Sequence, residues 1–307
     1  MPHKSPKVRY HEVSAAEDGQ RIDNLLLGQL KGVPRSHVYR LLSSGQVRRN
    51  GGRVKPSTRV ERGDQVRIPP VRTAERPSGP PPDRLANQVR ESIIDVDGDF
   101  IVLDKPEGVA VHGGSGVPFG VIECLRHTHG EDYDLVHRLD RDTSGVLVCA
   151  RRGEPLRRAR QALNGEKTEK LYQVLVHGRW KGGPRTVEEA LDVHARSGGE
   201  RTVRPDADGK LSVTHFDALD RRRTMSLLEA RLGTGRTHQI RVHAASQGHP
   251  VVGDLRYGDA GRDQALAPGR LCLHAWRLRL VHPQVGRLLE VSASVPDRFM
   301  ELLAAGE

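Results

Sequence analysis

The 307-residue sequence has few aromatic residues, few cysteines and no long apolar run. Aromatic side chains make up 4% of the chain, and the three cysteines are far apart with no C-x-x-C spacing. Scattered cysteines in an odd number favour neither a zinc site nor a disulfide framework, and they fit a reducing compartment. No segment approaches the ~20 apolar residues that a membrane helix needs, and the basic N-terminus lacks the apolar stretch of a secretory signal. We therefore expect a cytoplasmic protein with no membrane partner.

Positive charge is concentrated near the N-terminus. Residues 1–84 contain 17 Lys and Arg against 8 Asp and Glu, whereas residues 85–307 contain 32 against 31. A basic region attached to a nearly neutral body is typical of a module that delivers a protein to a polyanion such as RNA. A basic surface that only keeps the protein in solution is the alternative that charge alone leaves open.

Proline divides the sequence into two parts. Six prolines lie within the fourteen residues from Pro69 to Pro82. Because this segment has no periodic apolar pattern, it predicts an extended linker over residues 69–84. The predicted domains are then a small head over residues 1–68, with its core at about 19–68, and a large body over residues 85–307.

The head is predicted to combine two helices with a short β region. Apolar residues from Ile22 to Leu30 and from Val38 to Leu42 follow helical spacing. Turn signals at Asn50-Gly51 and Gly63-Asp64 bound short strands. This order, together with the segment GQVRRNG, resembles the S4 type of RNA-binding domain. The resemblance implies that basic side chains along one face contact RNA phosphates. The candidates are Arg35, Arg40, Arg48 and Arg53.

Short β-rich runs dominate the body. A turn signal at residues 97–99 between two apolar runs predicts a hairpin. The further predicted strands are 145–150, 171–177, 225–232 and 288–291, and the predicted helices are 120–127, 154–163 and 237–247. Strands outnumber helices and do not alternate regularly with them. This pattern predicts an α+β fold with a mainly antiparallel, mixed sheet and flanking helices.

Polar residues are concentrated in one segment of the body, which reads HRLDRDTSG and lies between two strand-like runs. Its carboxylates, Asp140 and Asp142, lie beside Arg138 and Arg141, which would keep a partly buried Asp ionised. An ionised carboxylate on a connecting loop can act as a nucleophile or as a base. A surface turn with ordinary salt bridges is the competing interpretation. Spacing alone does not choose between Asp140 and Asp142.

The HRLDRDTSG segment resembles the signature of the RluA-like family of pseudouridine synthases, in which the last residue of HRLD is the catalytic Asp. The resemblance implies that Asp140 is catalytic. The segment KLYQVLV is similar to the family's second motif, whose tyrosine stacks on the target base, which here is Tyr172. The segment GTGRTHQIRVH is similar to the third motif, which supplies a basic partner for the Asp. Arg241 is the residue assigned to that role, and Arg236 is the competing candidate.

The resemblance also implies the chemistry. The N1–C1′ bond of a uridine breaks, the uracil turns, and it rejoins through C5, so no cofactor and no metal are expected. Asp140 would attack C1′ or remove the C2′ proton, and the sequence leaves both routes open. The family role of Arg138 is to position the flipped nucleotide. His137 would orient the loop, and Arg236 could hold a phosphate.

The expected partner is large-subunit (23S) ribosomal RNA or its assembly precursor. Three further segments, GQRIDN, LKGVP and AVHGGSG, are similar to family members that modify this RNA. A monomer is expected, since nothing in the sequence demands a dimer.

A non-catalytic alternative is a ribosome-binding or assembly factor that uses the S4-like head alone. The complete set of Asp140, Tyr172 and Arg241 favours the enzyme. An aspartic protease is disfavoured because the segment DTSG has one residue too many and no second copy. A kinase is disfavoured because no D-F-G segment and no glycine-rich phosphate loop accompany HRLD. The pair His127 and His129 is more typical of a solvated loop than of a metal site.

Overall fold

A computed structural model describes residues 8–30, 33, 35–71, 79–114, 117–195 and 201–306. The chain divides into two compact units, residues 1–79 and residues 80–307. Residues 72–78, seven of the sixteen residues of the predicted linker, lie outside the described residues. No helix within the described ranges is long and apolar enough to cross a membrane.

The first unit packs two helices against a small antiparallel sheet. Its elements are β1 (Arg9–Glu12), α1 (Ile22–Gln29), α2 (Arg35–Ser43), β2 (Arg48–Arg49), β3 (Gly52–Arg53) and β4 (Gln65–Ile68). The strand order is β1-β4-β2-β3. The apolar residues of both helices form one buried cluster with the strands. Because each helix buries one apolar face, helical spacing in the sequence predicted both correctly. Strand β1 was not predicted from the sequence, because this segment is mostly exposed and has no apolar alternation.

The second unit is built on a mixed sheet that has eleven strands within the described residues. The first elements are α3 (Asp83–Glu91), β5 (Ile93–Asp97), β6 (Phe100–Lys105), α4 (Val121–His129), β7 (Tyr133–Leu135), β8 (Ser144–Arg151) and α5 (Glu154–Leu163). The next are β9 (Glu169–His177), β10 (Arg185–Ala195), β11 (Arg201–Pro205), β12 (Lys210–Arg221) and β13 (Met225–Leu232). The last are α6 (Gln239–Ser246), α7 (Ala260–Leu266), β14 (Leu273–Val281), β15 (Leu288–Ser292) and α8 (Asp297–Ala304).

The sheet follows the order β11-β10-β12-β13-β9-β14-β8-β6-β5, with β15 beside β14 and β7 beside β8. Among the described strands, β14 and β8 pair in parallel and the other neighbours pair antiparallel. The predicted α+β fold with a mainly antiparallel, mixed sheet is confirmed. Strands β7, β10, β11, β12 and β14 were not predicted from the sequence. Helix α3 begins at Asp83, inside the predicted linker range.

The central strands are buried on both faces, which explains their nearly continuous apolar sequence. On one face, Ile101 and Leu103 of β6 pack with α4. On the other, Phe100 and Val102 of the same strand pack with Leu156 and neighbouring residues of α5. Because β6 and β8 are clamped between these layers, the loop that enters β8 starts from a rigid base.

Gly145 lies where β8 meets β14, and it has no room for a side chain. Its φ is +112°, and a Cβ atom built there would lie 2.2 Å from the carbonyl oxygen of Ala275. Only glycine fits both the left-handed backbone and this close approach. The parallel contact between β8 and β14, and therefore the end of the HRLD loop, depends on this residue.

We predict that Gly145→Ala lowers the free energy of unfolding of the second unit by more than Gly98→Ala does. Gly98 has φ +52°, and nothing lies within 4 Å of the position that a Cβ atom would take, so its substitution costs backbone strain of about 1–2 kcal/mol. Gly145→Ala adds a clash worth roughly 1–3 kcal/mol more. Urea unfolding followed by tryptophan fluorescence measures this, because both tryptophans, Trp180 and Trp276, lie in this unit. Equal losses would contradict the steric argument.

Candidate active site

The HRLD segment forms the loop between β7 and β8, and hydrogen bonds fix its two ends. At the start, Nε2 of His137 accepts a hydrogen bond of 3.1 Å from the backbone N–H of Val148. Burial lowers the pKa of His137 to about 4, so the ring is neutral and can accept. At the other end, the N–H of Thr143 donates to the carbonyl oxygen of Asp140 at 3.2 Å. His137 therefore fixes the start of the loop, and it is not among the residues that line the cavity described below.

Lys105, at the end of β6, ties the same loop to its neighbours. Its side chain is fully buried, and its Nζ donates to the carbonyl oxygens of Pro106 at 2.7 Å, Val109 at 2.9 Å and Arg141 at 2.9 Å. Burial lowers its pKa to about 7, while the charge of nearby carboxylates acts in the opposite direction. Three carbonyl acceptors match the three protons of an ammonium group. Lys105 was given no role from the sequence. The signal that could have identified it is a lysine at the end of a mostly apolar strand.

Asp140 opens onto a cavity of about 110 Å³ between this loop and the segment before α6. Its side chain retains 25% exposure. The cavity walls also include Arg138, Tyr172, Arg236 and His238. Four residues predicted from the sequence, Asp140 among them, thus meet at one cavity, although they come from separate parts of the chain.

Tyr172 lies on β9, half-buried, with its ring packed against two hydrophobic clusters. Burial raises the pKa of its hydroxyl, and the charge of Asp140 adds to the effect. The phenol therefore stays neutral, and its packed ring offers a fixed flat surface on the cavity wall, of the kind on which a base can stack.

Arg241 lies on α6 and is almost completely buried. Its Nη1 is 4.0 Å from Oδ2 of Asp140, but its other two guanidinium nitrogens face another carboxylate. Nε and Nη2 donate to the two oxygens of Asp254 at 2.7 and 2.6 Å. Arg241 is thus the arginine beside Asp140, and its contact with Asp140 is single and long because the bidentate contact belongs to Asp254. Arg236 lines the cavity without an ion pair to Asp140 among the described contacts.

The ion pair between Arg241 and Asp254 keeps both of these buried groups ionised. Burial acts to lower the pKa of Arg241, but the hydrogen bonds and charge of Asp254 outweigh it and raise the pKa. Burial acts to raise the pKa of Asp254, and Arg241 outweighs it, so that this pKa lies below its usual value. Asp254 also accepts hydrogen bonds from the backbone N–H groups of Arg256 and Tyr257. Both groups are therefore ionised, and Asp254 was not identified from the sequence.

His238 is a second residue that was missed at the level of sequence. It precedes α6 in a left-handed conformation, with φ 54° and ψ 15°. Its Nε2 is 3.7 Å from Oδ2 of Asp140, and its Nδ1 is 2.8 Å from the hydroxyl of Tyr257. Its place within the segment GTGRTHQIRVH was the only signal, because a left-handed histidine is not readable from spacing.

A buried glutamine fixes the segment that carries Arg236 and His238. The amide of Gln239 donates to the carbonyl oxygen of Val213 and to the hydroxyl of Thr214, both at 2.9 Å. Its oxygen accepts from the hydroxyl of Thr234 at 2.8 Å and from the N–H of Arg236 at 3.0 Å. All four hydrogen-bonding positions are used, so the segment is anchored to β12.

The basic candidates of the first unit have different surroundings. The side chains of Arg40 and Arg53 are exposed. Arg48 is half-buried and donates to the carbonyl oxygen of Gly51 at 3.1 Å. The side chain of Arg35 lies outside the described residues. Among the candidates whose side chains are described, Arg40 and Arg53 are therefore the most exposed to solvent.

Comparisons with known proteins identify the family of the chain. Residues 99–246 match the family described as RNA pseudouridylate synthase, and residues 20–66 match the S4 domain. The ribosomal large subunit pseudouridine synthase C of Escherichia coli (strain K12) is 43% identical over 313 residues, which cover 99% of this chain and 98% of that protein. The chain belongs to the RNA pseudouridylate synthase family. The family resemblance and the S4 domain predicted from the sequence are both confirmed, and the protein is a pseudouridine synthase.

A second relative and two solved structures are also similar to this chain. The synthase is 44% identical to the ribosomal large subunit pseudouridine synthase C of Haemophilus influenzae over 304 residues, which cover 96% of this chain and 94% of that protein. The solved structure of human RNA pseudouridylate synthase domain containing 1 is similar with a TM-score of 0.56 and 29% identity, covering 66% of this chain and 82% of that one. A second human structure, domain containing 4, has a TM-score of 0.58 at 24% identity, covers 72% of this chain and 95% of its own, and supports the fold.

We predict that Arg241→Lys harms the synthase more than Arg236→Lys does. Lysine keeps the charge but cannot form the bidentate hydrogen bonds with Asp254. Arg241→Lys should therefore lower the free energy of unfolding by about 1–3 kcal/mol. It should also slow pseudouridine formation on the order of 100-fold, because the charge near Asp140 moves. Arg236→Lys should change stability by less than about 0.5 kcal/mol. Single-turnover kinetics and urea unfolding measure both effects, and a greater loss of activity in Arg236→Lys would reverse the assignment.

Proposed function

We propose that the synthase converts specific uridines of large-subunit (23S) ribosomal RNA, or of its assembly precursor, to pseudouridine, with Asp140 as the catalytic carboxylate. The observation that carries the catalytic assignment is the position of Asp140. Its partly exposed carboxylate faces a cavity with Tyr172 on the wall and the Arg241 guanidinium 4.0 Å behind it. The substrate class is supported by relatives named for the large ribosomal subunit, which match both units of the chain.

The chemistry requires an ionised carboxylate that is not locked in a salt bridge. Asp140 attacks C1′ of the ribose or removes its C2′ proton, and both routes use a free oxygen lone pair. A full bidentate pair with arginine would engage both oxygens and weaken the carboxylate as a nucleophile. Because Asp254 takes the bidentate contact of Arg241, Asp140 receives a nearby positive charge without a salt bridge that engages both of its oxygens.

Reaching the uridine requires it to leave its stack, which costs a few kcal/mol. The packed ring of Tyr172 would offset part of this by stacking on the flipped base, worth roughly 1–3 kcal/mol. Arg138, exposed at the cavity, is suited to contact the displaced strand or its phosphate. Arg236 offers a second positive charge on the wall of the same cavity.

The S4 domain is proposed to hold the ribosomal RNA through its exposed basic side chains, and we propose that the enzyme acts in the cytoplasm. We expect it to act as a monomer and without a cofactor. The alternative, a non-catalytic ribosome-binding or assembly factor, would use the S4 domain alone. The cavity formed around Asp140 argues against that alternative, because a binding factor has no need of a carboxylate arranged in this way.

Asp140→Asn should abolish product while leaving RNA binding nearly unchanged, because asparagine keeps the shape and removes the charge. The experiment incubates unmodified large-subunit RNA with each protein and no cofactor, then maps pseudouridine chemically. Wild-type protein should give discrete modified positions, which also identifies the targets. Full activity in Asp140→Asn would refute the catalytic assignment. RNA binding by the wild type without any new pseudouridine would support the binding factor instead.

The double variant Arg40→Gln, Arg53→Gln should weaken RNA binding and make it less dependent on salt. Each lost phosphate contact lowers the slope of log K against log salt by about 0.7–0.9. The rate at saturating enzyme should stay close to that of the wild type, since neither residue belongs to the cavity. A matched control is Arg157→Gln, Arg158→Gln on α5, which removes the same charge from residues paired with Glu154. An equal loss of slope in the control would mean that net charge, not the S4 surface, is responsible.

A further inference from the structure

His238 lies between the cavity and a buried network. Its Nε2 faces Oδ2 of Asp140 at 3.7 Å, and its Nδ1 is 2.8 Å from the hydroxyl of Tyr257. The ring of Tyr257 also lies against the guanidinium of Arg241, whose carbon is 5.1 Å from the ring centre. One tyrosine thus contacts both groups that stand behind Asp140.

The hydrogen bonds of Tyr257 select the tautomer of His238. The backbone N–H of Val203 donates to the Tyr257 hydroxyl oxygen at 2.8 Å. Assigning the hydroxyl proton to the bond with Nδ1 of His238 makes that nitrogen the acceptor. A neutral imidazole that accepts at Nδ1 carries its proton on Nε2. The proton of His238 therefore points at Asp140.

The backbone of His238 is held in an unfavourable conformation to achieve this. Besides His238, the described residues other than glycine with positive φ are Asn50 and Ala267. Left-handed backbone at a non-glycine residue persists only where the surroundings enforce it, and it is concentrated at functional sites. The anchoring of the neighbouring Gln239 supplies that enforcement. The conformation aims the ring into the cavity.

The two donors behind Asp140 approach the same oxygen. Both His238 and Arg241 have their shortest contact with Oδ2, which leaves Oδ1 as the oxygen that faces the substrate. We propose that His238 is a positioning residue for the catalytic carboxylate: its Nε2–H, with Arg241, holds Oδ2 and thereby presents Oδ1 to the ribose. The distances are 3.7 and 4.0 Å in the free protein, and we expect both to shorten when RNA is bound, as catalytic contacts often do.

A neutral donor suits this position better than a second cation. Burial lowers the pKa of His238, and the positive charges of Arg241 and Arg256 act in the same direction, whereas Asp140 and Asp254 oppose them. A neutral ring orients the carboxylate without adding a full charge that would stabilise it and reduce its reactivity. The tautomer fixed by Tyr257 makes such orientation possible without protonation.

This inference rests on the proposed role of Asp140 and is tested in the full-length synthase. His238→Asn keeps a residue that tolerates left-handed backbone and an amide that reaches Tyr257, but it has no atom at the Nε2 position. His238→Gln places an amide near that position. Tyr257→Phe keeps the ring against Arg241 and removes the proton that selects the tautomer. Release of tritium from RNA labelled at C5 of uridine measures the reaction, since C5 loses its hydrogen when it bonds C1′.

His238→Asn should lower kcat by on the order of 10- to 100-fold, with KM and RNA affinity within about threefold of the wild type. His238→Gln should recover most of the lost kcat. Tyr257→Phe should lower kcat in the wild type and have no further effect in His238→Asn, because it acts through His238. Urea midpoints monitor folding throughout.

Wild-type kcat in His238→Asn would overturn the proposal. So would a loss in which Gln is no better than Asn, since a purely structural histidine predicts that result. Asp140→Asn is measured in parallel. If it stays active, the catalytic assignment of Asp140 fails, whereas an inactive Asp140→Asn beside a fully active His238→Asn defeats only the role of His238.

Discussion

The buried ion pair between Arg241 and Asp254 determines how the site can work. Burying two charges is costly, and the cost is recovered only when geometry and further hydrogen bonds are good. Both conditions hold, since the fork is bidentate and two backbone N–H groups complete the shell of Asp254. The pair fixes the third nitrogen of Arg241 near Asp140. Without Asp254, the guanidinium would be free to form a bidentate contact with Asp140 and to engage both oxygens of that carboxylate.

The loop that carries Asp140 is positioned from the opposite side by independent contacts. Lys105 holds the carbonyl oxygen of Arg141, His137 accepts from β8, and Gly145 lets β8 approach β14 closely. These contacts belong to the clamped centre of the sheet, whereas Arg241 belongs to α6. The distance between Asp140 and Arg241 is therefore set by two rigid parts of one unit.

Periodicity predicted the elements that are amphipathic or fully apolar, such as the hairpin of β5 and β6, strand β13 and helix α5. It missed β10 and β12; in β12 the buried positions include the polar residues Ser212 and Thr214, so apolar residues do not alternate although burial does. The HRLD motif predicted Asp140 as the catalytic residue, because the family signature consists of nine consecutive residues. Asp254 and His238 were not predicted as site residues, because their positions depend on contacts between residues distant in the sequence or on a left-handed backbone. A motif thus gives the reacting group, while its electrostatic setting requires the fold.

Charge balance explains why the cavity also carries arginines that do not pair with Asp140. Asp140 and Asp254 share one cation, Arg241, and a neutral His238 adds none, so this group has a net negative charge. An RNA backbone entering it would be repelled. Arg138 and Arg236 on the cavity wall reverse the sign at its entrance. The proposed chemistry uses a negative charge, and attraction of RNA uses positive charges. Different residues carry the two, so that attracting the substrate does not neutralise the carboxylate.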